Sequence, residues 1–248
     1  ATNFKYAKNI AITEDDTSVL ITTNGNEVSF TKDELPLTNI MVETVSSIAY
    51  LNELDAISTI KGVTEPNYIY NPKMIENINK KKVLEIGNFN ELFLEIILKN
   101  KPQLLIASSN PSTAKYHQQL AQNGIKILYV DEYKENDPLG RLEYIKVFGK
   151  ILQKEDLAHQ KFESIENKYD SIKQIIQTNG SGNPKTLVNT MFGDVWYLPA
   201  KNDLQTKFIN DAKGNYVFKD KETTNGLNLS FEEVYANGKN ATHWINPA

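Results

Sequence analysis

The chain has 248 residues, 40% of them hydrophobic and 23% charged, with a formal net charge of −4. That size suits one large or two small globular domains, and an acidic balance without any basic run of five or more argues against a nucleic-acid partner. The absence of cysteine excludes disulfides, thiolate metal sites and a Cys nucleophile, and no apolar run approaches the ~18 residues of a membrane span.

Taken in order, the sequence opens on two alternating runs, Tyr6 to Ile12 and Thr17 to Thr23. They are separated by Asp15-Asp16 and followed by Asn24-Gly25-Asn26, a pattern of antiparallel hairpins assigned to residues 1–37. The pattern then changes to apolar runs alternating with helical segments of about ten residues. The strands are Asn39–Val42, Ala56–Val63, Lys82–Gly87, Gln103–Ser108 and Ile125–Val130. The intervening helices are Thr44–Leu54, Glu91–Lys99 and Thr113–Asn123. This alternation predicts a parallel sheet covered on both faces, an α/β lobe over residues 38–136.

Next comes the longest periodic segment, predicted as one helix over 137–179 with Asp137 as N-cap and Pro138 as its first residue. Apolar residues recur at Ile145, Phe148, Leu152, Phe162, Ile165, Tyr169, Ile172 and Ile176, and the stripe is interrupted around Lys154-Glu155-Asp156. A helix of that length serves as a spine between two lobes. Sustained heptads, which a coiled coil needs, are missing. After Gly180-Ser181-Gly182-Asn183-Pro184 the α/β alternation resumes in a second lobe, residues 183–248. It has a strand at Lys185–Met191, an aromatic segment at Asp194–Leu198 and a helix at Asp203–Ala212. Ser230 caps a further helix to Ala236, and a strand follows at Thr242–Ile245. The chain starts at Ala1 without Met and stops just past a strand, so a trimmed start and lost C-terminal sequence are expected.

The residues offer no positive case for catalysis. No HExxH, GxSxG, GxGxxG or P-loop pattern occurs. His117 and His159 lie on polar helices and are expected at the surface. Asp15-Asp16 and Asp131-Glu132 follow strands and are expected to be solvated. Met41, Met74 and Met191 read as core or loop residues rather than metal ligands.

Four stretches in sequence order resemble a known family. They are Lys61-Gly62-Val63 with the loop Tyr68–Pro72, and Gly87-Asn88-Phe89-Asn90-Glu91 with Leu98-Lys99-Asn100-Lys101-Pro102-Gln103-Leu104-Leu105-Ile106. The third is Gly140–Ile145 with Gly149–Leu152. The last is Gly193–Pro199 with Phe208–Asn215, Ser230–Val234 and Trp244–Pro247. Together they cover nearly all of residues 38–248. The chain resembles the class III periplasmic binding proteins of siderophore, haem and cobalamin ABC importers, and its N-terminal hairpins look most like versions from the Bacteroidetes group. The family's usual Pro-Asp is Pro102-Gln103 here.

The resemblance implies two Rossmann-like lobes joined by a backbone helix, with a metal chelate (a ferric siderophore, cobalamin or haem) bound between them and no intrinsic cofactor. The implied ligand contacts are Glu43, Thr44, Ser46, Tyr68, Asn88, Phe89, Ser108 and Ser109 in the first lobe. In the second lobe they are Phe192, Asp194, Trp196, Tyr197 and His243. His243 is the histidine placed where it could ligate a metal, and core packing is the competing reading of Trp196 and Tyr197. Glu91 and Glu232 stand at the family's positions for docking an inner-membrane ABC permease. Each is expected in the first turn of its helix, where dipole stabilisation competes as an explanation. The resemblance further implies a monomeric periplasmic protein, with lipid anchoring through a segment before Ala1 as an extension. A surface-interaction module on the same scaffold is the alternative. The chain's single arginine, Arg141, makes a highly anionic ferric siderophore the weaker expectation.

Overall fold

The computed structural model describes residue 2, residues 4–223 and residues 226–247. The chain divides into two compact units, Ala1–Lys134 with Gly140–Glu163, and Glu135–Leu139 with Ser164–Ala248.

In the first unit, β1 (Ile10–Glu14), β2 (Ser18–Thr23) and β3 (Asn26–Thr31) form an antiparallel sheet, with Ile12 opposite Ile21 and Val19 opposite Phe30. Strict alternation puts Ile10, Ile12, Val19, Ile21, Val28 and Phe30 on one buried face. Two turns make the hairpins. Asp15 accepts backbone N–H bonds from Thr17 (2.8 Å) and Ser18 (2.7 Å), which lowers its carboxyl pKa to about 2. Asn24 and Gly25 both adopt positive φ in the second turn.

The rest of this unit is a five-stranded parallel sheet of β4 (Ile40–Val42), β5 (Ile60–Thr64), β6 (Leu84–Gly87), β7 (Leu104–Ala107) and β8 (Ile127–Tyr129). The spatial order is β6-β5-β4-β7-β8. All four residues of β7 are fully buried, as an interior parallel strand requires. Helices α1 (Val45–Glu53), α2 (Pro72–Asn79), α3 (Leu94–Asn100) and α4 (Ala114–Gln122) make the crossovers. Sequence reading missed α2, taking Tyr68–Pro72 as loop only. Asn71 accepts the Met74 N–H at 3.0 Å, Pro72 opens the helix, and Met74 is buried. Asn-Pro was the available signal, an N-cap followed by proline at the first helical position.

The single helix predicted over 137–179 is three segments: α5 (Pro138–Glu143), α6 (Ile145–Ile151) and α7 (Glu155–Asn179). The break falls where the stripe was interrupted. Gln153 takes φ 52°, and the Lys154 N–H reaches back to the Gly149 carbonyl at 2.7 Å, closing α6. α7 then packs on α6 so closely that a Cβ on Gly149 would stand 2.5 Å from Ala158 Cβ. Gly149→Ala is therefore expected to destabilise the protein by about 1–3 kcal/mol through overpacking, measured as a lower urea midpoint. An unchanged midpoint would show that the two helices separate freely. Along α7, Ala158 and Phe162 are buried while Ile165 and Ile172 are exposed, so much of the predicted apolar stripe lies outside the core.

The second unit contains β9 (Lys185–Val188), β10 (Met191–Phe192), β11 (Val195–Leu198), α8 (Leu204–Asp211), β12 (Asn215–Tyr216), β13 (Leu227–Leu229), α9 (Phe231–Gly238) and β14 (His243–Ile245). Strands β12-β9-β14 are parallel. Strands β10-β11-β13 form a second, antiparallel sheet that the reading of central parallel sheets did not anticipate. Its hairpin turns on Gly193-Asp194, a two-residue signal between β-rich pairs. Val188, Trp196, Leu198, Ile209, Tyr216, Phe218 and Val234 form the core here.

Candidate functional site

The order β6-β5-β4-β7-β8 has a topological switch between β4 and β7. The crossovers on its two sides depart in opposite directions and open a crevice at the carboxyl ends of the strands. A cleft of about 490 Å³ lies there. Every one of these strands except β8 sends its following loop into the cleft: Glu43 and Thr44 after β4, Glu65 and Tyr68 after β5, Asn88 and Phe89 after β6, and Ser108 and Asn110 after β7.

The most exposed of these is held in place by its backbone. Gly87 has φ 148°, and a Cβ there would lie 2.2 Å from the Glu91 carbonyl oxygen, so only glycine permits this tight return. The Asn88 side chain accepts the N–H groups of Asn90 (2.9 Å) and Glu91 (3.1 Å). Glu65 Oε1 accepts the Phe89 N–H at 2.9 Å, and Asn110 Nδ2 donates to the Phe89 carbonyl at 2.7 Å. The loop is anchored from both sides, while the Phe89 ring remains 69% exposed and that of Tyr68 64%.

Behind the cleft lining, Glu43 belongs to a buried polar cluster. The Glu43 side chain is 7% exposed, and its Oε1 lies 2.6 Å from His117 Nε2. Tyr129 Oη lies 3.2 Å from His117 Nδ1. A carboxylate only accepts, so His117 donates from Nε2, and its Nδ1 shares the second bond with the tyrosine hydroxyl. Burial, with the Glu43 and Asp131 charges, raises the Tyr129 pKa and keeps the phenol protonated. This corrects the expectation of a surface His117: the residue is 2% exposed, and its partner is 74 positions away in sequence.

Asp131 is likewise buried rather than solvated. It accepts from Ser108 Oγ (3.1 Å), the Ser109 N–H (2.8 Å), Ser109 Oγ and Lys134 Nζ (3.0 Å). Burial opposes its ionisation, but these donors outweigh that and hold its pKa below the usual value. Of the first-lobe candidates, Glu43, Thr44, Tyr68, Asn88, Phe89 and Ser108 line the cleft, whereas Ser46 and Ser109 do not. Val45, Thr64, Glu65, Asn110 and Thr113 also line it and were missed. Glu65 and Asn110 carried no motif, and their roles depend on contacts to Phe89 across more than twenty residues.

In the second unit the candidates separate. The chain leaving β9 forms the β10–β11 hairpin, with Phe192, 82% exposed, ending β10 and the exposed Asp194 in the turn. Tyr197 is half-exposed on β11. Trp196 is buried, with its indole N–H donating to the Val188 carbonyl at 3.0 Å, which is core packing. His243 is exposed and opens β14, opposite Thr186, instead of standing at the carboxyl end of a strand. Among the described residues no group of three or more His, Cys, Asp or Glu could hold a metal ion.

Glu91 and Glu232 are both exposed. Glu232 lies in the first turn of α9, capped by Ser230 Oγ accepting the Glu233 N–H at 3.3 Å. Glu91 does not start a helix: α3 begins at Leu94, because Leu92 bridges back to Gly87 and keeps this segment extended. The dipole explanation for Glu91 is correspondingly weaker. Among the described residues no helix is long and apolar enough to cross a membrane.

A family model described as periplasmic binding protein matches residues 47–245. An uncharacterized lipoprotein of Methanocaldococcus jannaschii is 27% identical over 223 residues, 86% of this chain and 53% of that protein. A second, uncharacterized protein of the same organism is 25% identical over 213 residues, 83% of this chain and 63% of its own length. The chain thus spans less than two thirds of these curated relatives.

Solved structures share the fold. A petrobactin-binding protein from Bacillus subtilis superposes with TM-score 0.68 at 15% identity, covering 96% of this chain and 77% of that one. A possible iron-binding, periplasmic solute-binding protein from Staphylococcus epidermidis gives TM-score 0.66 at 19% identity over 82% and 74%. A periplasmic haem-binding protein of Vibrio cholerae gives 0.64 at 18% over 81% and 73%. Family and structural neighbours alike are solute-binding proteins and not enzymes. With the family match running over most of its length, this chain belongs to the periplasmic binding protein family.

Proposed function

We propose that this chain is the extracytoplasmic solute-binding subunit of an ABC importer, capturing a small metal chelate of the ferric-siderophore type and delivering it to a permease. The observation that carries this is the cleft at the β4/β7 switch point, where the Phe89 and Tyr68 rings are presented on anchored loops above hydrogen-bonded polar side chains. A concave apolar wall with a few fixed polar groups suits a compact ligand with a flat or greasy body. The neighbours include proteins described as binding petrobactin, haem and vitamin B12, which supports the ligand class without choosing within it. The family supports a periplasmic site, and the lipoprotein relative supports a lipid anchor.

Isothermal titration calorimetry with an iron(III) trihydroxamate, cyanocobalamin and haemin tests the reading. Saturable binding of one of them with a stoichiometry of one is expected. Failure of all of them to bind would reject it.

Glu91 and Glu232 are the proposed docking carboxylates. The variant carrying Glu91→Arg and Glu232→Arg is expected to reduce uptake by about tenfold or more, because opposed charges both slow encounter and misorient the complex. Its chelate affinity is expected to match wild type. Wild-type uptake by the double variant would eliminate the docking role.

A further inference from the structure

We infer that the ligand taken by the first unit's cleft is neutral or positively charged, and not a multiply anionic chelate. This rests on the solute-binding reading above and narrows its ligand class. Among the described residues, the charged side chains lining the cleft are Glu43 and Glu65, both carboxylates, and no lysine, arginine or histidine lines it. Glu43 is turned toward His117, whose Nε2 lies 2.6 Å from its Oε1. Glu65 receives one backbone N–H bond, from Phe89, beside the exposed Phe89 and Tyr68 rings.

Carboxylates next to open aromatic faces form an environment that attracts cations twice over, by charge and by the ring quadrupole. The same environment repels an anion with no fixed cation to offset the cost. In the second unit the β10–β11 hairpin also exposes an aromatic ring and a carboxylate, Phe192 at the end of β10 and Asp194 in the turn.

The test is a calorimetric panel on the intact protein, with chelates of similar size and different charge. It uses an iron(III) trihydroxamate with a pendant ammonium, its N-acetylated neutral form, cyanocobalamin, an iron(III) tris-catecholate and haemin. Binding is expected for a cationic or neutral member, with the two anionic members at least about 100-fold weaker. Where the ammonium-bearing chelate binds, it is expected to exceed its acetylated form by about tenfold, and Glu65→Gln, which keeps an acceptor for the Phe89 N–H, is expected to abolish that margin. If the tris-catecholate or haemin binds as tightly as the best neutral or cationic member, the charge inference is overturned and the solute-binding reading stands. If no member binds, the solute-binding reading fails and this inference falls with it.

Discussion

Replacing Glu143 by alanine is expected to lower the unfolding free energy by about 3–5 kcal/mol, the usual result of removing one partner from a buried ion pair. Glu143 is fully buried at the end of α5. It accepts from Lys146 Nζ at 2.7 Å and from the N–H groups of Lys5 (2.9 Å), Tyr6 (2.7 Å) and Ala7 (2.7 Å). Lys146 is itself buried, 4.3 Å from the Phe162 ring centroid. Alanine would remove an acceptor from four donors and leave an ammonium in the core. Urea unfolding at neutral pH measures the loss, and a loss below about 1 kcal/mol would mean that water or a rearranged segment replaces the carboxylate.

The same group sets a pH dependence. Burial alone would raise the Glu143 pKa, but the Lys146 ammonium and the three N–H groups outweigh it and hold the carboxyl below its usual value. A depressed folded pKa stabilises above the unfolded value, about 4.3, and that contribution disappears as pH falls through the lower folded value. The stability gap between wild type and Glu143→Gln is therefore expected to be largest near neutrality and to close below about pH 4. A gap that is constant across this range would show that ionisation of Glu143 is irrelevant.

Phe89→Ala is expected to weaken chelate binding by about 10–100-fold, roughly 1.4–2.8 kcal/mol, the range of a dominant aromatic contact. The ring is largely exposed, so the urea midpoint is expected to remain at the wild-type value. The backbone bonds from Glu65 and Asn110 do not depend on the ring, so the loop keeps its path. Calorimetry with the chelate selected by the panel measures the effect, and an unaltered dissociation constant would remove Phe89 from the site.

Much of the first unit was legible because its signals are local. Period-two alternation and the Asp15 and Asn24-Gly25 turns announce the hairpins. The run Leu104-Leu105-Ile106-Ala107 announces an interior strand. Asn88 and Phe89 were named through the resemblance and line the cleft, though neither residue type by itself marks a site. The Gln153 break was visible as an interruption of the stripe but was spanned, because a left-handed residue that closes a helix carries no sequence mark unless it is glycine or asparagine.

By itself, then, the sequence determined the alternation of strands and helices, the hairpins, the lack of catalytic motifs and the likeness to a family. Tertiary structure decided the order β6-β5-β4-β7-β8, and with it the position of the cleft. Strand pairing is a long-range choice that periodicity does not encode. It also decided the fates of His117, Asp131 and Glu143. His117 and Asp131 are expected at the surface from the sequence, and a glutamate such as Glu143 is ordinarily exposed. Each is buried because partners tens of residues away, such as Glu43 for His117 and the Lys5–Ala7 backbone for Glu143, offset the cost of leaving water.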